Sequence, residues 1–209
     1  MKILSIPNEN GKMTCFWEEG ASSGKKPLII CLADKEEDAQ RDLNLLFSQA
    51  NGASVAALVV YPQTEEQIVG DWLYSLRQRE DVDENRITLT GTLSAADWVW
   101  RLGSHFPQWF AGICAVGGYG DPYEVRAMKN VPVRAYLVEE EPQIIRKGKV
   151  AVNVDQLVMS LLTAGSECVE MRSMYEKNPW NKAIQGDGVV SWLLEQNRNC
   201  LLYTSPSPR

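Results

Sequence analysis

The strongest constraint in this chain is an alternation. Continuous apolar runs of strand length keep giving way to segments in which apolar residues recur at helical spacing. Residues 28–32, which follow Pro27, and residues 55–60 and 113–116 are such runs, and residues 87–90 and 133–138 read as further strands. The continuous runs show no polar face, the pattern of strands covered on both sides, as in a parallel sheet. Between them, Leu43, Leu46, Phe47 and Ala50 share one helical face that Gly52 stops, and Ile68, Trp72 and Leu76 form a second stripe. Residues 95–104, 123–129, 154–161 and 189–196 predict further helices, and 168–171 a short strand. Residues 3–6 and 13–17 flank Pro7-Asn8-Glu9-Asn10-Gly11 and read as an opening hairpin. The expectation is an α/β fold of about eight strands, the first two antiparallel and the rest mostly parallel, with helices on both faces. No internal repeat or low-complexity linker divides the chain, so residues 1–199 read as a single domain.

Residues 200–209 are set apart. Cys200-Leu201-Leu202-Tyr203-Thr204-Ser205-Pro206-Ser207-Pro208-Arg209 back-translates to TGT CTC TTA TAC ACA TCT CCG AGC CCA CGA. That string resembles a transposase adapter of sequencing libraries. The segment is therefore expected to be an assembly scar, extended and poorly ordered, on a metagenomic fragment with native sequence missing beyond it.

Charge and cysteine usage narrow the function classes. The chain carries 21 Lys and Arg against 27 Asp and Glu, net −6. Mild acidity argues against nucleic acid or an anionic membrane surface as partner. Cys15, Cys31 and Cys114 sit inside apolar runs and, with Cys168, read as small buried hydrophobes rather than a disulfide framework. No C-x-x-C pair, signal peptide or membrane span is read, so cytoplasm is the default expectation. Gly117-Gly118-Tyr119-Gly120 lacks the Gly-Lys-Ser/Thr of a phosphate loop and reads as a turn, so no cofactor is expected.

In a sheet of this kind, chemistry gathers at the carboxyl ends of the strands. The turn there reads Asn85-Arg86-Ile87-Thr88-Leu89-Thr90-Gly91-Thr92-Leu93-Ser94-Ala95-Ala96-Asp97-Trp98-Val99-Trp100. It resembles the N-R-I-Y-L-T-G-L-S-M-G-G-Y-G-T-W elbow of the α/β-hydrolase branch of predicted peptidases and of feruloyl-esterase-like and polyester-depolymerase-like serine esterases. The similarity continues through Tyr61-Pro62-Gln63, His105-Phe106-Pro107-Gln108-Trp109-Phe110-Ala111, Gly117-Gly118-Tyr119-Gly120-Asp121-Pro122, Pro132-Val133-Arg134-Ala135-Tyr136 and Trp180-Asn181-Lys182-Ala183 with Trp192-Leu193-Leu194. It spans roughly residues 25–198 and implies the α/β-hydrolase fold.

The departures fall on the chemistry that the resemblance implies. Aligned without a gap, Leu93 stands at the nucleophile station and Ser94 one residue late, where it reads as the start of a helix. The family's H-G oxyanion station is Ala33-Asp34, and a carboxylate there opposes a developing oxyanion. Its acid station falls on Leu137-Val138-Glu139-Glu140-Glu141, with Glu141 as stand-in, and its histidine station on Lys177. The chain's one histidine, His105, lies eleven residues beyond Ser94 in one predicted helix, roughly 16 Å away at 1.5 Å per residue. A general base must come within about 3 Å, so His105 reads as a surface residue near a helix end.

The same residues suggest other chemistry. A Ser94–Lys177 dyad needs a buried lysine, yet Lys177 sits among Glu176, Asn178 and Asn181. Asp34, Asp97 and Glu141 offer oxygens to a hard cation, but the 139–141 run reads as a solvated loop. Asp97 and Trp98 are candidates to line a ligand cleft. The reading is a non-catalytic α/β-hydrolase-fold module that binds a small molecule or a protein. The alternative is a carboxylic-ester hydrolase with an atypical site using Ser94. Deleting residues 200–209 is expected to leave Tm unchanged within error, whereas a loss of several degrees identifies the segment as native structure.

Overall fold

The computed structural model describes residues 1–8, 11–138, 145–146 and 149–201. The polar hairpin tip joins β1 (Lys2–Asn8) to β2 (Gly11–Glu18), which pair antiparallel with Lys2 opposite Trp17. There follow β3 (Lys26–Ala33), α1 (Glu36–Phe47), β4 (Ser54–Val59), α2 (Glu66–Arg77), β5 (Val82–Thr92), α3 (Ser94–His105) and β6 (Gly112–Val116). Then come β7 (Val133–Val138), the two-residue β8 (Ile145–Arg146) and β9 (Lys149–Val150), and α4 (Val154–Thr163). β10 (Val169–Met174), α5 (Pro179–Asn181), α6 (Val189–Glu195) and α7 (Arg198–Leu201) complete the chain.

Eight strands form one sheet in the order β1-β2-β4-β3-β5-β6-β7-β10. β2 meets β4 antiparallel, and every pairing from β4 to β10 is parallel. The apolar runs are buried on both faces, as their lack of alternation requires. Leu28, Ile30, Leu32 and Leu89 face α2, α3 and α4, while Ile29, Cys31, Ala33 and Val55 face α1 and α6. The central strands therefore cannot slip by one residue without exchanging two packed faces, which fixes where each carboxyl end emerges.

Several segments differ from the sequence reading for local reasons. The helix expected over 123–129 is a 3₁₀ turn, Glu124–Met128, because Asp121 Oδ1 accepts from the Tyr123 N–H at 2.8 Å and ties the entry into a tight bend. The short strand over 168–171 runs later, as β10, and Cys168 precedes it with its carbonyl accepting from the Val133 N–H at 2.9 Å. Residues 200 and 201 are not extended: they close α7, at whose start Asn197 Oδ1 accepts from the Asn199 N–H at 2.9 Å, a cap the reading missed. Residues 202–209 lie outside the described residues.

All four cysteines within the domain are free. Burial pushes the Cys15 and Cys114 thiols up to about 12 and raises Cys31 as well, which removes their thiolate chemistry at neutral pH. No helix among the described residues is long and apolar enough to cross a membrane.

Several buried polar groups lack a partner among the described residues, and Thr88 is one of them. Thr88 on β5 is 1% exposed, and its hydroxyl has no hydrogen-bond partner among the described residues. An unpaired buried hydroxyl costs about 1–3 kcal/mol. Thr88→Val keeps the shape and removes that group, so it is expected to stabilise by about 1 kcal/mol and to raise Tm by about 2–4 °C. A lowered Tm shows instead that the hydroxyl is satisfied in solution.

Candidate functional site

β5 delivers the chain to the carboxyl edge between β3 and β6, and the turn into α3 is made in one residue. Leu93 has φ 51 and ψ −123, a region that L-residues other than glycine rarely enter. Its N–H donates to the Val116 carbonyl at 2.8 Å, and its carbonyl accepts from the Ala96 N–H at 2.9 Å. Gly91, two residues earlier, has no room for a side chain, since a Cβ would lie 2.9 Å from Val99 Cγ2. Ala95, two residues later, is small and buried. The tight turn thus fits around Leu93, not Ser94, and it throws the leucine side chain outward, 45% exposed.

A cleft of about 270 Å³ opens beside this apex. It gathers Ala33 and Asp34 from the end of β3, Leu93 and Ser94 from the turn, and Lys177 from the loop before α5. Four of the stations named from the sequence therefore share one cavity: oxyanion, nucleophile, its neighbour and base. Ser94 begins α3, and its Oγ donates to the half-buried Asp34 carboxylate. Lys177 is exposed, as its polar neighbours suggest. Glu141 lies outside the described residues.

The far wall comes from residues that sequence reasoning passed over. Asp38, Arg41 and Asp42 fall at i, i+3 and i+4 on α1 and so share a face. Arg41 donates to Asp38 at 2.7 Å and pairs with Asp42 at 2.9 Å. Burial pushes the Asp42 carboxyl up, and the Arg41 guanidinium opposes that shift. The spacing was the available signal; what hid it was that charged residues at a helix start ordinarily read as solvated. Trp180, 3% exposed, completes the wall, and Asn178 Oδ1 caps α5 by accepting from the Asn181 N–H at 3.1 Å.

The remaining candidates lie elsewhere. Asp97 turns away from this cleft and accepts from the Tyr119 N–H at 2.6 Å. It lines a second groove, of about 810 Å³, together with Trp100, Arg101 and His105. Trp98 is 6% exposed and packs in the core, with the Arg101 guanidinium 4.8 Å from its ring. His105, at the opposite end of α3 from Ser94, offers Nδ1 to Glu66 and Nε2 to Glu124 at 3.2 Å, joining three elements. No group of three or more His, Cys, Asp or Glu among the described residues is placed to hold a metal ion.

No family model matches the chain, and no curated protein matches it. Solved structures do. A thermostable esterase superposes with a TM-score of 0.76 at 19% identity over 94% of this chain and 63% of the other. The chain has the α/β-hydrolase fold. A ferulic acid esterase matches with a TM-score of 0.66 at 10% identity, covering 92% and 97% of the two chains. A Pyrobaculum calidifontis esterase matches at 0.62 and 11%, covering 92% and 82%. At these identities the likeness is one of architecture, and the chain spans less than two thirds of the thermostable esterase.

Within the α/β-hydrolase fold, the residue in the strained strand-to-helix turn is the one whose side chain is presented at the top of the sheet. Here that residue is Leu93. A non-glycine residue in such a region costs about 1–3 kcal/mol, and glycine adopts it freely at about 0.5–1 kcal/mol of extra chain entropy. Leu93→Gly is therefore expected to be more stable than Leu93→Ala by about 1 kcal/mol in urea unfolding. If Leu93→Ala proves the more stable of the two, the turn carries no strain.

Proposed function

We propose that this α/β-hydrolase-fold chain is a pseudoenzyme, a non-catalytic module that uses the cleft beside the elbow to bind a small molecule or a protein segment. The observation that carries this reading is the apolar Leu93 at the apex of the strained turn. An alkyl side chain there has no lone pair to attack a carbonyl and no proton for a base to remove. Two features agree with it. Asp34 places a carboxylate beside the turn, where a hydrolase needs hydrogen-bond donors to an oxyanion. The chain's one imidazole is engaged with Glu66 and Glu124 at the other end of α3.

One observation favours a second reading, a carboxylic-ester hydrolase with an atypical site. Ser94 Oγ already donates to Asp34, and Lys177 lines the same cleft, so a serine, an acceptor and a cation are together. The two readings separate in one experiment. The purified chain is treated with a fluorophosphonate probe and assayed on short-chain aryl esters, alongside Ser94→Ala. No labelling is expected, and any ester turnover should be identical in the two proteins. Labelling or turnover abolished by Ser94→Ala overturns the pseudoenzyme reading and establishes Ser94 as the nucleophile.

A further inference from the structure

β10 ends the sheet. It pairs with β7 on one side, and among the described residues nothing pairs with its other side. Val133 N–H donates to the Cys168 carbonyl, and the parallel register then turns the peptide groups of Glu170 and Arg172 toward β7. Alternation leaves the N–H and C=O of Val169, Met171 and Ser173 pointing outward. Exposed apolar side chains stand on one face here: Met171 is 43% exposed, and Leu162 of α4 is 49% exposed. α4 packs on that face through Val154, Leu157, Val158 and Leu161, with Leu157 turned toward Gly120 and Trp100. Leu162 lies about 140° further round the helix from Leu157, on the flank toward the β10 edge.

We propose that this edge is a homodimer interface, in which β10 of two copies pair antiparallel about a two-fold axis through Met171. Backbone parity restricts the choice of register. In an antiparallel pair, outward-facing residues must oppose outward-facing ones, so the axis passes through a residue and not between two. An axis through Glu170 sets glutamate against glutamate, and an axis through Arg172 sets arginine against arginine, both unfavourable directly across strands. An axis through Met171 sets Glu170 opposite Arg172 of the second copy, and Arg172 opposite its Glu170. The two ion pairs fall at positions without ladder hydrogen bonds, where side chains approach most closely. The two Met171 residues exchange both backbone hydrogen bonds at the centre. Their side chains fall on the face of Leu162, so apolar surface on each copy is covered by the other. Within its own chain each Glu170 is also paired with Arg134, and each Arg172 with Glu170 and Asp187, which holds both groups on the face opposite Met171. The short sequence Glu170-Met171-Arg172 is thus self-complementary in one register and repulsive in its neighbours.

Sedimentation velocity of the full chain tests the interface. A dimer is expected at micromolar concentration, and Arg172→Glu, at an exposed position, is expected to give a folded monomer by sedimentation and circular dichroism. Met171→Pro removes only an outward N–H, so it should leave the β7 ladder intact and also give a monomer. Register is read by cross-linking in a Cys168→Ser, Cys200→Ser background. Met171→Cys should form an intermolecular disulfide on mild oxidation, because the paired Cα atoms lie at about 5.5 Å. Ser173→Cys, which opposes Val169 of the second copy, should not. A monomer at all concentrations, a dimer unaffected by both β10 substitutions, or cross-linking through residue 173 and not 171 overturns the proposal.

Discussion

Leu93 donates its N–H to Val116 at the carboxyl end of β6, and that bond holds the chain through a backbone conformation that leucine disfavours. The cleft depends on it. β5 is locked in register between β3 and β6 by side chains buried on both faces, so it ends at a set height. α3 is locked by nine buried residues over twelve. The strand and the helix leave no slack between them, and one residue has to absorb the change of direction. Gly91 and Ala95 give that residue room. The strain therefore originates in packing on either side of the turn. It persists whichever side chain stands there, including one with no chemistry to perform.

The architecture was legible in the sequence because the pattern that announced it is the one that stabilises it. Runs such as 28–32 and 113–116 contain no polar residue to face water, and only a doubly covered strand satisfies them. The tight turn was legible too, through the order Gly91-Thr92-Leu93-Ser94-Ala95, whose small members flank Leu93 and not Ser94. Short elements were less legible. α7 depends on one Asn197 cap and contact with β5, and the 3₁₀ turn at Glu124–Met128 depends on one Asp121 side chain. Neither leaves a periodic signature.

The cleft walls were the least legible part. Asp34, Ser94 and Lys177 were legible only through the resemblance to the esterase pattern, from which the chain departs at these positions. Asp38, Arg41 and Asp42 come from α1, which reaches the cleft only because β3 and β5 are neighbours in the sheet although β4 and α2 separate them in sequence. Crossover connections of this kind place sequence-distant residues side by side, and spacing along one helix does not reveal what it will face. Asp97 shows the converse. It follows the apex by four residues, yet the turn of the helix sends it to the Tyr119 N–H and the other groove.

The outward leucine has one more consequence, for selectivity. A cleft walled by Asp34, Asp38, Arg41 and Lys177 would by itself favour the most heavily charged solutes in reach. Leu93 places an alkyl peg among those charges, nearly half of it exposed. Covering that area is worth on the order of 1 kcal/mol at ~25 cal/mol per Å², whereas a hydrated ion laid against it gains nothing and loses solvation. In the binding role proposed for this cleft, such a peg would sort solutes by amphiphilicity, favouring molecules that carry a hydrocarbon part within a few ångströms of a polar group over simple ions of either sign.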